Sequence, residues 1–349
     1  VRRCGPRGRP GPFPAMLAFV VRRLVQAVIV MLTVSLIALT LFRFVGDPVN
    51  QMVGIETTPE QREALRERLG LNDPVPVQFA RFVANAAQFD FGNSYQIQKG
   101  TPVKQVLRFK LPVTLEMALF GQFLGILFGI PIGLLGAVKQ DALSDHVTRI
   151  GALTGISVPI YWSGPLLILL FAQVLNWLPA SGRIASQFSI EPITGIITLD
   201  TLVQGNFAAF QSAAMHLFLP SLVIGIYSMA LVSRMMRSSM LEVIRQDYMR
   251  TARAKGQGSK ITVMKHGFQN ALIPVVTVIG IQFGTLLGGA VLTETVFGIP
   301  GIGTLLVSAI QVGDYPVVQG TVLTFAFLFT LVNLLVDVTY SYLDPRIDQ

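Results

Sequence analysis

Six stretches of this chain are long enough to cross a bilayer and carry no Asp, Glu, Lys, Arg or His in their interiors, and that pattern leaves few folds open. They are Leu24–Phe42, Met117–Val138, Ile150–Leu175, Leu217–Ser233, Ala271–Thr293 and Val317–Val336. Roughly twenty apolar residues span the hydrocarbon core as a helix. With 52% hydrophobic and 13% charged residues among 349, and a mean hydropathy of +0.59, too little polar surface remains to coat a soluble globule. The expected fold class is therefore an all-α integral membrane protein with six transmembrane helices.

Six crossings place both termini on one side. Arg22 and Arg23 precede the first run, whose apolar core is too long for a cleaved signal peptide, so the amino terminus is assigned to the cytoplasm. Inside loops then fall at 139–149 and 234–270, and outside loops at 43–110, 175–216 and 294–316. The charges follow this order. The 294–316 loop has no Lys or Arg, and 175–216 has only Arg183. The 43–110 loop holds nine basic residues against seven acids, but it is longer than the loops on which the positive-inside bias acts.

The +8 net charge does not mark a nucleic-acid partner, because the basic residues flank the apolar runs and the aromatic ones lie within them. Cys4 is the only cysteine, which excludes an internal disulfide and a cysteine-based metal site. Residues 1–15, rich in Arg, Gly and Pro, read as a disordered extension that precedes a natural start at Met16. In the first outside loop, Thr58-Pro59-Glu60-Gln61 has the form of a capping box with proline at the first helical position, predicting a helix over about 59–69 that Gly70 stops. That helix is either solvated or a docking element.

Ion-coupled pumps need ionisable groups at membrane depth, and these spans have none, so the energy source lies elsewhere. Glu116, His216, Glu294 and Asp337 sit at span ends, where solvated or snorkelled groups are the simplest expectation. Gly121, Gly125, Gly129 and Gly133 recur every four residues, as do Gly280, Gly284 and Gly288. Each set forms one stripe suited to close backbone approach, within the chain or with another subunit. There is no GxxxxGK[ST] phosphate loop, no GxSxG and no His/Cys cluster, which argues against an enzyme.

The most basic segment runs from Arg234 to Asn270, with eight Lys or Arg against Glu242 and Asp247. Within it, Asp247–Lys255 is predicted to form a short helix stopped by Gly256, with Asp247 and Lys255 each suited to the helix dipole. A helix this short needs an external seat, either a groove in a partner or anionic lipid headgroups.

DYMRTARAKG at Asp247–Gly256, followed by NALIP at Asn270–Pro274, resembles the "EAA" coupling motif of permease subunits in binding-protein-dependent ABC importers. The general pattern is Glu-Ala-Ala, three residues, Gly, nine residues, then Ile-x-Leu-Pro. Here Ala252 and Gly256 are kept, Arg250 and Thr251 stand at the first positions, and Gly256 to Pro274 is about five residues longer. Those departures resemble the dipeptide/oligopeptide/nickel branch, B-type, and its dipeptide members most closely. GDP at Gly46–Pro48, LGLNDPVPVQF at Leu69–Phe79, DFGNS at Asp90–Ser94, RSSMLEV at Arg237–Val243, LTETVFGIPGIG at Leu292–Gly303 and DYPVVQG at Asp314–Gly320 extend the likeness. So do WLPASGRI at Trp177–Ile184 and PITGIITLD at Pro192–Asp200. Phe89 departs from it, standing where the family usually has glycine.

The resemblance implies the type I importer (MetI-like) permease fold: a first helix and periplasmic region over 16–111, then a five-helix core over 112–349 carrying the coupling loop 234–270. It implies an inner-membrane permease subunit with no chemistry of its own and no cofactor. Its partners would be a second, C-type permease, two cytoplasmic ATPase subunits that bind ATP, a periplasmic peptide-binding protein and the lipid bilayer. Asp247, Tyr248, Arg250, Thr251, Ala252, Arg253, Ala254, Lys255 and Gly256 would form the coupling helix seated on an ATPase, with Ala252 and Gly256 small enough to allow close contact. Dipeptides are the expected solute. Oligopeptides, glutathione or nickel carried by the same architecture, an ion-coupled secondary transporter, and a membrane scaffold are the alternatives.

Overall fold

A computed structural model describes residues 12–45, 49, 58–68 and 70–343. The helices are α1 (Pro12–Val45), α2 (Pro59–Arg68), α3 (Val75–Ala86), α4 (Val103–Val138), α5 (Leu143–Ser157), α6 (Ile160–Leu167, continued by a π-helical stretch Ile168–Val174), α7 (Ile197–Val203), α8 (Phe207–Ile244), α9 (Asp247–Ala254), α10 (Ser259–Phe297), α11 (Ile302–Val312) and α12 (Tyr315–Leu343). Among the described residues there is no β-strand, only an isolated bridge between Asn93 and Pro102. Residues 1–11 of the expected disordered extension, and GDP at 46–48, lie outside the described residues. Helix α1 takes in residues 12–15.

Five helices meet the length and hydropathy of a membrane span: α1, α4, α8, α10 and α12. The sixth apolar run is not one straight span. It divides into α5 and α6, bent by 108°. The cause is Pro159: the residue before a proline is pushed out of the α region, and Val158 takes φ −82°, ψ 120°. Pro159 then serves as the cap of α6.

Helices α4 and α8 form the centre. An added Cβ at Gly121 would meet Ile224, at Gly125 Ser228, at Gly129 Val232 and at Gly133 Met236, so contact steps four residues along both helices and they run parallel. The first glycine stripe is thus an internal seam, with Gly225 of α8 set against the Gly121 carbonyl. Parallel neighbours require a return crossing between them, and α5–α6 is the segment that supplies it. In the second stripe, Gly280 faces Val336 and Gly284 faces Phe329 of α12, while among the described residues nothing lies within 4 Å of where a Gly288 Cβ would be.

The expected 234–270 loop is largely helical. Helix α8 runs on to Ile244 and α10 begins at Ser259, so both long helices extend beyond their apolar runs. The capping box forms at α2, with Thr58 N donating to Gln61 Oε1 at 3.3 Å and Gln61 N to Thr58 Oγ1 at 3.4 Å. Phe89 adopts φ +55°, a region where glycine is at ease and a bulky residue is not. Its ring packs edge-to-face on Phe91 at 6.4 Å and on Phe327 at 5.5 Å, contacts that offset the backbone strain.

Carboxylates fasten the connections before α8 and after α10 to the bundle, which corrects the expectation for two of the four span-end groups. Glu116 is 6% exposed and accepts from Arg183 at 2.8 Å, Thr198 N at 2.8 Å and Thr198 Oγ1 at 2.7 Å. Glu294 is fully buried and accepts from the Thr114 hydroxyl and from Thr304 N at 3.0 Å. Neither is solvated, because each satisfies backbone N–H groups at the start of a short helix, α7 for Glu116 and α11 for Glu294, that would otherwise be unpaired. Asp337 is partly exposed and pairs with Arg23 at 3.0 Å, and His216 Nδ1 lies 2.7 Å from the Ser212 carbonyl.

Candidate functional site

Helix α9 is the short helix expected from the basic segment, ending one residue earlier at Ala254. Its stop is a Schellman motif. Gly256 N donates to Arg253 O at 3.0 Å, Gln257 N to Ala252 O at 3.3 Å, and Gly256 takes φ +79°. Nothing lies within 4 Å of where a Gly256 Cβ would be, so backbone conformation rather than space calls for glycine there.

Two side chains, three residues apart, seat the helix on its own chain. Met249 is fully buried and Ala252 is 9% exposed. The Met249 methyl meets Gly267 in the π-helical stretch Thr262–Phe268 of α10, where the Met240 methyl from α8 also converges. Tyr248 fixes the flank: its hydroxyl accepts from Asn270 Nδ2 at 3.2 Å, and the same amide donates to the His266 carbonyl at 2.8 Å. His266 Nε2 lies 2.8 Å from Gln257 Oε1 beyond the stop. The helix is therefore tied to both α8 and α10.

The opposite face is open. Asp247, Tyr248, Arg250, Thr251, Arg253, Ala254, Lys255 and Gly256 are exposed, with the Asp247 and Arg250 side chains at 96% and 78%. Of the nine residues assigned to the coupling helix, the structure gathers eight on this accessible surface and turns Ala252 inward. The small side chain of Ala252 lets α9 lie close to its own bundle. Sequence reasoning passed over Met249, although an apolar pair at i, i+3 in a basic helix marks a seated face. It also did not link Tyr248 to Asn270, the first residues of interest in two motifs that the fold brings together.

The surface offers the cationic groups of Arg250, Arg253 and Lys255 and the hydroxyls of Tyr248 and Thr251 on one ridge. Among the described residues no cluster of His, Cys, Asp or Glu could hold a metal ion.

Residues 129–349 match the family described as "Binding-protein-dependent transport system inner membrane component", and residues 16–118 match the corresponding amino-terminal family. The dipeptide transport system permease protein DppB of Alkalihalophilus pseudofirmus is 41% identical over 95% of this chain and 99% of its own length. The di/tripeptide transport system permease protein DppB of Pseudomonas aeruginosa is 43% identical, again over 95% of this chain and 99% of its own. The dipeptide transport system permease protein DppB of Escherichia coli K12 is 41% identical over the same shares.

Proposed function

Because the chain belongs to the inner membrane component family of binding-protein-dependent transport systems, we propose that it is the permease subunit of an ATP-driven importer that carries dipeptides across the bacterial inner membrane. The observation that carries the solute class is near-complete coverage at 41–43% identity by relatives named for dipeptide or di/tripeptide transport. The exposed basic ridge of α9, backed by α8 and α10, supports its use as the contact for a partner that supplies energy.

In this reading the chain pairs with a second, C-type permease. Two cytoplasmic ATPase subunits sit beneath, and a periplasmic peptide-binding protein delivers the solute. ATP is bound by those partners, since this sequence has no phosphate loop. Closure of the ATPase pair pushes α9, and the Met249 and Tyr248 contacts pass that displacement to α8 and α10 as rigid bodies. Both termini lie in the cytoplasm, with α9 on the same side.

Reconstitution tests this directly. Proteoliposomes containing both permeases, both ATPases and the binding protein are expected to accumulate labelled dipeptide only with ATP inside the ATPase compartment. Uptake by this chain without the ATPases would establish a secondary transporter or channel instead.

A further inference from the structure

The broken crossing places irregular backbone at the middle of the bundle. Gly155 of α5 lies against Ile226 and Ala230, at the centre of α8. Beyond the break, Ile160 touches Gly289 of α10, and Gly164 lies against Val296 and Phe297 near the outer end of that helix. The turn between α5 and α6 therefore lies within the apolar runs of both neighbours, between the middle of α8 and the outer part of α10, with α6 rising from it toward the outside.

Breaking the helix there frees hydrogen-bonding groups. Val158 N still bonds Thr154 O at 3.0 Å, but Pro159 has no N–H to donate, and Trp162 N and Ser163 N both turn to Pro159 O at 3.0 Å. Among the described residues, no donor reaches the carbonyls of Gly155, Ile156, Ser157 or Val158. The surrounding side chains do not bury the turn. Ser157 and Pro159 are exposed, and Tyr161 and Trp162 are 63% and 56% exposed.

Free carbonyls at this depth cannot face hydrocarbon, where nothing satisfies them; such backbone persists only inside protein or along a water-filled space. These groups also share one chemical preference. Free carbonyls at the carboxyl end of a helix form a partial negative charge, and tyrosine and tryptophan faces attract cations. We propose that Ser157–Trp162 forms part of the wall of the solute passage and is a transient binding site for the α-ammonium group of the transported peptide. The proposal rests on the transport reading above.

The test uses the assembled transporter in proteoliposomes, in a Cys4→Ser background, with a cationic methanethiosulfonate as probe. Ser157→Cys and Tyr161→Cys are expected to react at least tenfold faster than Ile29→Cys, a 56%-exposed position on the peripheral helix α1. A dipeptide with a free amino terminus is expected to slow that reaction several-fold, and its N-acetylated form is not. Reaction only with an apolar maleimide means a lipid-facing turn, and reaction with neither reagent means a turn covered by the second permease; either overturns the proposal. Equal slowing by both peptides overturns the ammonium site. Dipeptide uptake measured on the same vesicles separates the two levels. Slow labelling with intact uptake removes this wall alone, whereas fast labelling with no ATP-dependent uptake in the parent removes the dipeptide reading and keeps the water-lined wall.

Discussion

Arg237 of α8 closes on Asp145 of α5 through two hydrogen bonds, Nε to Oδ1 at 2.6 Å and Nη2 to Oδ2 at 2.7 Å, with Asp145 fully buried. Asp141 N adds a third donor at 3.1 Å. The pair lies where the broken crossing starts, so it fixes the near end of α5 while Pro159 releases the far end. Farther along, Gly155 of α5 packs against Ile226 and Ala230 of α8.

Removing Asp145 leaves Arg237 charged, unpaired and only 22% exposed, which costs a part of the about 3–5 kcal/mol lost when a fully buried pair is broken. Asp145→Ala is expected to lower the melting temperature of the detergent-solubilised protein sharply. Asp145→Ala combined with Arg237→Met is expected to recover a large part of the loss, because no unpaired charge remains. Thermal unfolding followed by size-exclusion of the soluble fraction measures both, and an undiminished loss in the double variant counts against an electrostatic clamp.

The glycine seam gives a paired comparison. At Gly129 an added methyl would lie 2.9 Å from the Met229 carbonyl oxygen and 3.0 Å from Val232 Cβ, both on a rigid helix. Gly129→Ala is expected to destabilise by about 1–3 kcal/mol through overpacking. Gly288→Ala meets nothing within 4 Å and is expected to be neutral or slightly stabilising in the same thermal assay of the isolated chain. Equal effects at the two positions would deny the α4–α8 seam its special closeness.

How much of this was legible follows from what each feature depends on. Span number, the α9 stop and the α2 capping box depend on residues close in sequence: apolar length, a glycine at the end of a basic helix, Thr58 with Gln61. The internal seam was visible as a period of four, though not its partner, because α8 carries only Gly225 opposite it. The 108° break was signalled by Pro159, but a hydrophobic run gives no measure of bend angle. Glu116 and Glu294 read as solvated because their partners are distant in sequence: Thr198 for one, Thr114 for the other. Only the fold shows that a span-end carboxylate has backbone N–H groups converging on it. The inward turn of Ala252 was hidden for the same reason, since the helix that carries it packs on the π-helical start of α10.

Asp314 holds the segment 94–97 at the start of α12. Its carboxylate accepts from Ser94 Oγ at 2.5 Å and from the backbone N–H groups of Tyr95 at 3.1 Å, Gln96 at 2.9 Å and Ile97 at 3.0 Å. Burial alone would push this carboxyl up, but the four donors outweigh it and hold the group below the ordinary aspartate value. A depressed folded pKa contributes stability that is complete above the unfolded value of about 3.9 and is lost as pH falls through the folded one. Chymotryptic cleavage after Tyr95 is therefore expected to stay slow from neutral pH down to about 4, judged against that unfolded value, and to be fast at neutral pH in Asp314→Asn. Slow cleavage at neutral pH in that variant would mean the loop is held by something else.

The exposed face of α9 and its buried face predict separable defects. Arg253→Glu reverses charge at an exposed position of the open ridge and leaves the buried Met249 and Ala252 unchanged, so the chain is expected to fold and insert normally. Under the function proposed above, the ridge is the ATPase contact, and the amount of peptide moved per ATP hydrolysed in reconstituted transporter is expected to fall at least tenfold. Ala252→Glu acts from beneath. A carboxylate forced against the chain's own bundle unseats α9, and the expected result is lower thermal stability together with lost transport. Gly267→Leu belongs with it, since added bulk there would enter the space shared by the Met240 and Met249 methyls. Thermal stability and transport stoichiometry on the three variants check the division. Normal coupling in Arg253→Glu, with uptake intact, would remove α9's open face as the place where energy enters the chain.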